Sequence, residues 1–356
     1  MPENKYEINS VSDFLNSIND LITKNNLEDK TIFFRGHRSC EWKSIPGIGR
    51  DETPGLLENE HLIFRDFLAR YDDEFQTCRS TFDILTKMQH YELPTRLLDV
   101  TTNALVALYF ACLKEPMSEP DEDGEVLIYA VPNEFIKHFD SDSVAILSNV
   151  AKCKPELNVK MSSLIEAYPE LKEKKTSASF SECLSNIVID EKWNNKFKEE
   201  FNKDKDNEDK DNDNDNYDKL SYLCHQVKEE RSHFREGEVF PPHLGRVWAV
   251  RAKKNNPRII AQSGDFFLFG LGVDEKKFED DKLFLTKQQL AALPGRWIIA
   301  GERPMDTEGE KVRILIKKDE KRNILKELEF LGIKESTLLP EMTVYAKELK
   351  NKYGVK

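Results

Sequence analysis

The sequence predicts an α+β fold, a single large domain built on a mixed, largely antiparallel sheet, with a helical insertion over residues 140–245. Three observations carry that expectation. Short runs rich in β-branched and aromatic residues, such as TIFFRG (31–36) and GEVLIYAVP (124–132), read as strands. Longer stretches between them space their apolar residues three or four apart, which is helical periodicity. No internal repeat divides the chain, so strands and helices are expected to share one domain, residues 1–356.

The elements follow in order. Ser10 or Ser12 can cap a first helix in which Val11, Phe14, Leu15, Ile18 and Leu21 fall on one face. Strand TIFFRG comes next. Between Arg50 and Glu92 the pattern is helical, with Leu62, Phe64, Phe67, Leu68, Tyr71 and Phe75 in phase, until Pro94 breaks it. PTRLLDVTTNALVALYFACL (94–113) reads as a short strand, a polar turn and a helix. Asp99, Thr101, Thr102 and Asn103 are all helix-capping types, and a helix apolar nearly all round is a buried one. GEVLIYAVP is the next strand, stopped by its proline. After the insertion the chain returns to strands in GRVWAV, PRIIAQSGDFFLFGL, GRWIIAG and VRILIKK. The helix DEKRNILKELEFLGI then ends at Gly332 as a C-cap, and a last short helix starts near Pro340.

Composition narrows the function classes. With 39% hydrophobic and 33% charged residues among 356, the chain has material for a substantial core. No stretch approaches the roughly 18 apolar residues of a membrane span, and MPENKYEINS lacks the basic and apolar regions of a leader. The expectation is a cytoplasmic protein with no membrane partner. The six cysteines are scattered without a C-x-x-C pair, so neither disulfides nor a metal site is expected. A net charge of -12 argues against bulk nucleic-acid binding, which needs a local surplus of Lys and Arg. Much of the acidity lies in KDKDNEDKDNDNDNYDK (203–219), read as a flexible, solvated loop. Its Asp/Asn alternation lacks the central Gly and final Glu of a calcium loop.

Three clusters carry possible chemistry. Arg35 ends a buried-looking strand with a charge it cannot lose, beside Gly36, which allows close approach, and His37 and Arg38, which add contacts. Arginine there suits a carboxylate or phosphate ligand; the alternative is a structural ion pair with Asp99 or another acid. The second cluster, MQHYELPTRLLDVTTN (88–103), gathers Gln89, His90, Thr95, Arg96, Asp99, Thr101 and Thr102 around a proline turn and a strand-to-helix junction. That junction is a natural anion site, and His90 has acid–base capacity near neutral pH. In the third, NPRIIAQSGDFFLFG (256–270), a strand over 258–262 would put Arg258, Ile260 and Gln262 on one face, with Gln262 able to hold a sugar hydroxyl.

Taken together, FFRGHRSCEWKSIPGIGR, MQHYELPTRLLDVTTNALVALYFAC, NPRIIAQSGDFFLFG and LIKKDEKRNILKELEFLGIKESTLLPEM resemble the FRG domain family, a bacterial family named for its Phe-Arg-Gly motif. The resemblance runs from about Asp13 to Leu349, with 140–245 least typical and Val100 where Trp is expected. IFFRG and TRLLDVTTNALVALYFA are also similar, more weakly, to two elements of mono-ADP-ribosyltransferases of the arginine-serine-glutamate class. That likeness implies NAD as the ligand, Arg35 on its pyrophosphate or its nicotinamide ribose, and Thr95 with Thr101 or Thr102 shaping the nicotinamide pocket. It also calls for a glutamate where Gln262 stands, and an amide supplies no negative charge to a cationic transition state.

Three functions compete on these residues. The first is an NAD-dependent ADP-ribosyltransferase or NAD glycohydrolase acting as a toxin or antiphage effector, with His90, Gln262 and Asp99 catalytic and a protein acceptor or regulatory partner. A second is a metal-dependent or histidine-based phosphodiesterase or nuclease using Arg35, His37, His90, Arg96 and Asp99. The third is a non-catalytic sensor that recognises a nucleotide or phosphorylated ligand through the same arginines.

Overall fold

Alternation along one strand organises the molecule. β4 (Gly124–Pro132) is buried from Gly124 to Val131. Its Val126, Ile128 and Ala130 join one hydrophobic cluster while Leu127, Tyr129 and Val131 join the other. A strand apolar on both faces must be covered on both, and helices do that here. The computed structural model describes residues 4–25, 27–50, 54–114, 121–161, 168–174, 176–186, 214–235, 239, 241–274, 283–301 and 312–354.

The strands are β1 (Asn4–Ile8), β2 (Lys30–His37), β3 (Leu97–Thr101), β4, β5 (Ile136–His138), β6 (Asn158–Lys160), β7 (Val247–Arg251), β8 (Gly264–Phe269), β9 (Leu271–Val273), β10 (Phe284–Leu290), β11 (Ile298–Ala300) and β12 (Val312–Ile316). Nine form the main sheet in the order β1-β12-β4-β2-β3-β8-β7-β5, with β11 also on β4. Among the described residues only β1 with β12 and β5 with β7 run parallel, so the sheet is mixed and largely antiparallel, in an α+β domain. A second sheet, β6-β10-β9, is antiparallel.

One face is covered by the helices Val11–Lys24, Ala104–Cys112 and Lys321–Phe330, the last closed by Gly332 at φ +80°. Helix Ala104–Cys112 lies backbone to backbone on the sheet. A Cβ on Gly36 would stand 2.0 Å from the Ala107 carbonyl oxygen, and one on Gly124 2.2 Å from that of Ala111. Gly36 therefore answers a helix, where the sequence alone also admitted a ligand.

The opposite face carries Leu56–Arg70, Thr81–His90 and, from the 140–245 stretch, Asp142–Asn149, Ser177–Asn186 and Asn214–Glu230. Val144, Phe180 and Val227 of that stretch share one cluster with Phe33 and Tyr129 of the main sheet. The stretch also supplies β6, a strand its sequence did not announce. Of the acidic run, residues 203–213 lie outside the described residues and Asn214 opens a helix. Glu230 at the end of that helix accepts from the Thr81 backbone N–H and from Asn149 Nδ2, fixing the start of helix Thr81–His90.

Two expectations change. Residues 258–262 are not a strand: Pro257–Ala261 is a short helix, because Asn256 Oδ1 caps the Arg258 N–H and Pro257 occupies the first turn. The strand begins only at Gly264, after Ser263 turns at φ 48°. Arg96 is not a ligand residue. It is fully buried, its Nε donates to Glu60 Oε1 at 2.9 Å, Nη2 to Glu60 Oε2, and Nη1 to the Phe269 carbonyl at 2.8 Å. Lys287, 1% exposed, adds a second cation 3.3 Å from Glu60 and donates to the Ala151 and Cys153 carbonyls. Among the described residues no helix is long and apolar enough to cross a membrane.

Burial pushes the Glu60 carboxyl up, but Arg96 and Lys287 outweigh it and hold its pKa below the ordinary value. The resulting stability is present above the ordinary carboxylate range and is lost as pH falls through the lowered value. Glu60→Gln leaves two buried cations uncompensated and is expected to cost about 3–5 kcal/mol in urea unfolding at neutral pH. Gly36→Ala should cost about 3 kcal/mol or more by the same measurement, because the obstructing atoms are backbone.

Candidate functional site

A gap in the sheet creates the site. β2 pairs with β4 over all eight residues from Lys30 to His37, but with β3 only through Phe34 and Thr101. Beyond Phe34 and Thr101 no further pair joins the two strands. Arg35 spans the opening: Nη1 donates to the Asp99 carbonyl at 2.6 Å, and Nε donates to His37 Nε2 at 3.0 Å. Both acceptors are neutral. Burial, reinforced by Arg50 and opposed by Asp99 and Tyr129, draws the Arg35 pKa below its ordinary value. An arginine nonetheless stays charged at neutral pH.

The gap opens into a cleft of about 220 Å³. Arg35, Gly36, Gln89, His90, Asp99, Thr101, Arg258 and Gln262, drawn from all three sequence clusters, line it. Asp99 is exposed, and its Oδ2 accepts from Gln89 Nε2 at 2.8 Å. Gln89 Oε1 in turn accepts from Thr95 Oγ1, so a buried hydroxyl sets the amide that orients the carboxylate. The neighbouring Asp265 is committed elsewhere, to Arg251 at 2.8 Å, Lys254 at 3.1 Å and the Ala252 N–H at 2.9 Å. Asp99 is thus the carboxylate of the cleft that keeps an oxygen for a ligand.

His90 ends helix Thr81–His90 and is half-buried. Its Nδ1 lies 2.9 Å from Asn256 Nδ2. Because Asn256 Oδ1 is already bound to the Arg258 N–H, Nδ2 is the donor, Nδ1 the acceptor, and the proton of the neutral ring sits on Nε2. Burial first, and then Arg258, lowers the His90 pKa against the opposing pull of Asp99 and Glu341. His90 therefore presents an N–H donor at neutral pH. Gln262 is similarly half-committed: Nε2 donates to the Leu338 carbonyl at 3.0 Å, leaving Oε1 as an acceptor.

Other expected ligand residues stand back from the cleft. His37 is 1% exposed and kept neutral by burial and by Arg35, so it supports the guanidinium from within the core. Thr95 is buried behind Gln89. Thr101 lines the cleft, but its hydroxyl donates to the Gln262 carbonyl at 2.7 Å and accepts from the Asn103 N–H at 2.9 Å. Thr102 is exposed outside the lining and closes the turn through its N–H to Ser263. The walls that sequence reasoning missed are Trp42 and Phe110. Arg38 stacks 5.8 Å from the Trp42 ring, a pairing whose four-residue spacing was visible in HRSCEW. Among the described residues no group of three or more His, Cys, Asp and Glu side chains is arranged to hold a metal.

Residues 30–119 match the family model of the FRG domain. The matched segment runs from β2 through helix Ala104–Cys112 and contains Arg35, Gly36, Gln89, His90 and Asp99, while Arg258 and Gln262 lie beyond it. The motif order extended the resemblance from about Asp13 to Leu349; the model itself matches the shorter span. No curated protein and no solved structure matches the chain. With the Phe-Arg-Gly strand, the glycine-seated helix and one side of the cleft inside the matched segment, residues 30–119 of this chain carry an FRG domain.

Proposed function

We propose that the cleft binds the phosphate-bearing end of a nucleotide and that NAD is the substrate, cleaved at the bond between ribose and nicotinamide. One observation carries the reading: the Arg35 charge is held over the cleft by two neutral acceptors, with its hydrogen bonds among the described residues accounting for Nε and Nη1 only. A desolvated cation whose direct hydrogen-bond acceptors are all neutral favours an anion brought by a ligand. Arg38 and Arg258 add positive charge, and Trp42 and Phe110 offer flat apolar surface. A volume of about 220 Å³ is below the roughly 300–1,000 Å³ that engulfs a drug-sized ligand. A dinucleotide would enter by one half.

In this proposal Asp99 takes the place of the missing glutamate. When the bond to nicotinamide breaks, its electron pair leaves with nicotinamide, and the positive charge developing on the ribose faces the Asp99 carboxylate. Gln262 Oε1 accepts from a ribose hydroxyl, and His90 Nε2–H donates to a phosphate or hydroxyl oxygen. Water or an acceptor hydroxyl attacks the ribose carbon, and its proton passes through Asp99 to solvent. Consumption of NAD, or modification of an acceptor, would suit a toxin or antiphage effector. The phosphodiesterase reading draws less support, because His37 and Arg96 stand outside the cleft lining.

Arg35→Ala is expected to weaken NAD and ADP-ribose binding by roughly ten- to a hundredfold in calorimetry, the value of a hydrogen-bonded charge, with the fold retained. A variant that melts far below wild type while still binding would return Arg35 to a structural role. Asp99→Asn should keep binding but slow nicotinamide release by about 10²–10³. Binding without any nicotinamide release by the wild type would make the domain a sensor. Because the His90 pKa is lowered, NAD affinity should stay flat between pH 8 and about 6.5. A step in that range, absent from His90→Gln, would contradict the neutral donor.

A further inference from the structure

A second pocket lies where two helices end. Helix Leu56–Arg70 finishes at Tyr71, helix Thr81–His90 finishes at Tyr91, and the short helix Asp72–Phe75 lies between them in sequence. Phe67, Tyr71, Phe75, Tyr91 and Glu74 line a cavity of about 360 Å³. The Phe67 ring sits 5.2 Å from Tyr71, 5.8 Å from Phe75 and 6.5 Å from Tyr91, centroid to centroid. Phe75 is buried, but Tyr71 and Tyr91 remain 49% and 56% exposed, and the Glu74 side chain 58%. Two half-exposed tyrosines, two phenylalanines and a carboxylate facing one cavity are not what a closed core requires.

We infer that this cavity is a binding site for an organic cation, a quaternary ammonium or a methylated lysine or arginine side chain. Aromatic faces carry negative potential and attract cations within about 6 Å of the ring centre. Several rings with one carboxylate favour a weakly hydrated cation, whose desolvation costs little, over a simple metal ion. The molecule already shows the attraction in part: Lys87 Nζ stands 5.3 Å from the Phe75 ring centre and 3.2 Å from Glu74 Oε2. Lys87 is outside the lining of the cavity, so it competes for Glu74 without filling the space. Tyr91 also lines a groove of about 300 Å³ that reaches His90, which places the cation at the far end of a surface continuous with the cleft.

The test is calorimetric titration of the full chain with choline and with its neutral isostere 3,3-dimethylbutanol at constant ionic strength. Choline is expected to bind at least about tenfold more tightly. Tyr71→Leu and Tyr91→Leu, both at exposed positions, should each weaken choline by several-fold, and Lys87→Met should strengthen it by freeing Glu74. Nα-acetyl-trimethyl-lysine amide and Nα-acetyl-dimethyl-arginine amide, titrated in parallel, distinguish a protein side chain from a free small molecule as the source. Equal affinity for the neutral isostere would reduce the cavity to an apolar patch and overturn the inference. So would choline binding that neither tyrosine variant changes, or the absence of choline binding in both wild type and Lys87→Met.

Discussion

A guanidinium held across a break in a β-sheet is the constraint around which this domain is arranged. Where β2 and β3 cease to pair, the sheet would leave backbone groups unmet, and Arg35 supplies the Asp99 carbonyl with the donor that a neighbouring strand would have given. The cost is a charge pulled from water. His37 accepts from its Nε but, being neutral, does nothing to balance that charge. The break in the ladder, the cleft behind it and the buried charge are one feature seen at three scales.

The glycine that follows belongs to the same arrangement. Helix Ala104–Cys112 can reach the sheet only where Gly36 and Gly124 remove a side chain, and its approach brings Val106, Ala107 and Phe110 to the cleft wall. Phe33, Phe34, Arg35 and Gly36 thus have four separate tasks: one core face, the other core face, the cleft side of the gap, and the seat of a helix.

Comparison with Arg96 shows how environment separates two arginines. Arg96 is enclosed by a bidentate carboxylate and a carbonyl, with Lys287 sharing the same carboxylate, so its bonding capacity is spent within the core. Arg35 has carbonyl and imidazole partners and an open cleft. Both arginines sit beside strands of similar apolar character. In primary structure they are hard to tell apart, because Glu60, which decides the matter, stands 36 positions from Arg96 in a helix whose polar residues look solvent-facing.

Local patterns in the sequence determined most of the elements: the β-branched and aromatic run of β4, the capping serine of Val11–Lys24, the buried helix after Asn103 and the glycine stop at Gly332. They also determined which segments hold polar residues at strand ends, and those segments do meet at one cleft. The helix at Pro257–Ala261 was legible too, in Asn-Pro, but was outweighed by its β-branched residues. Tertiary structure alone decided which side chains were free to act. Whether a hydroxyl or guanidinium is available depends on the partners that distant strands and helices bring to it. Thr95, Thr101 and Arg96 were claimed by Gln89, Gln262 and Glu60, while Asp99 and Arg35 kept a side open. Hydrogen-bond satisfaction is a three-dimensional accounting, and residue type and spacing record only the capacity to enter it.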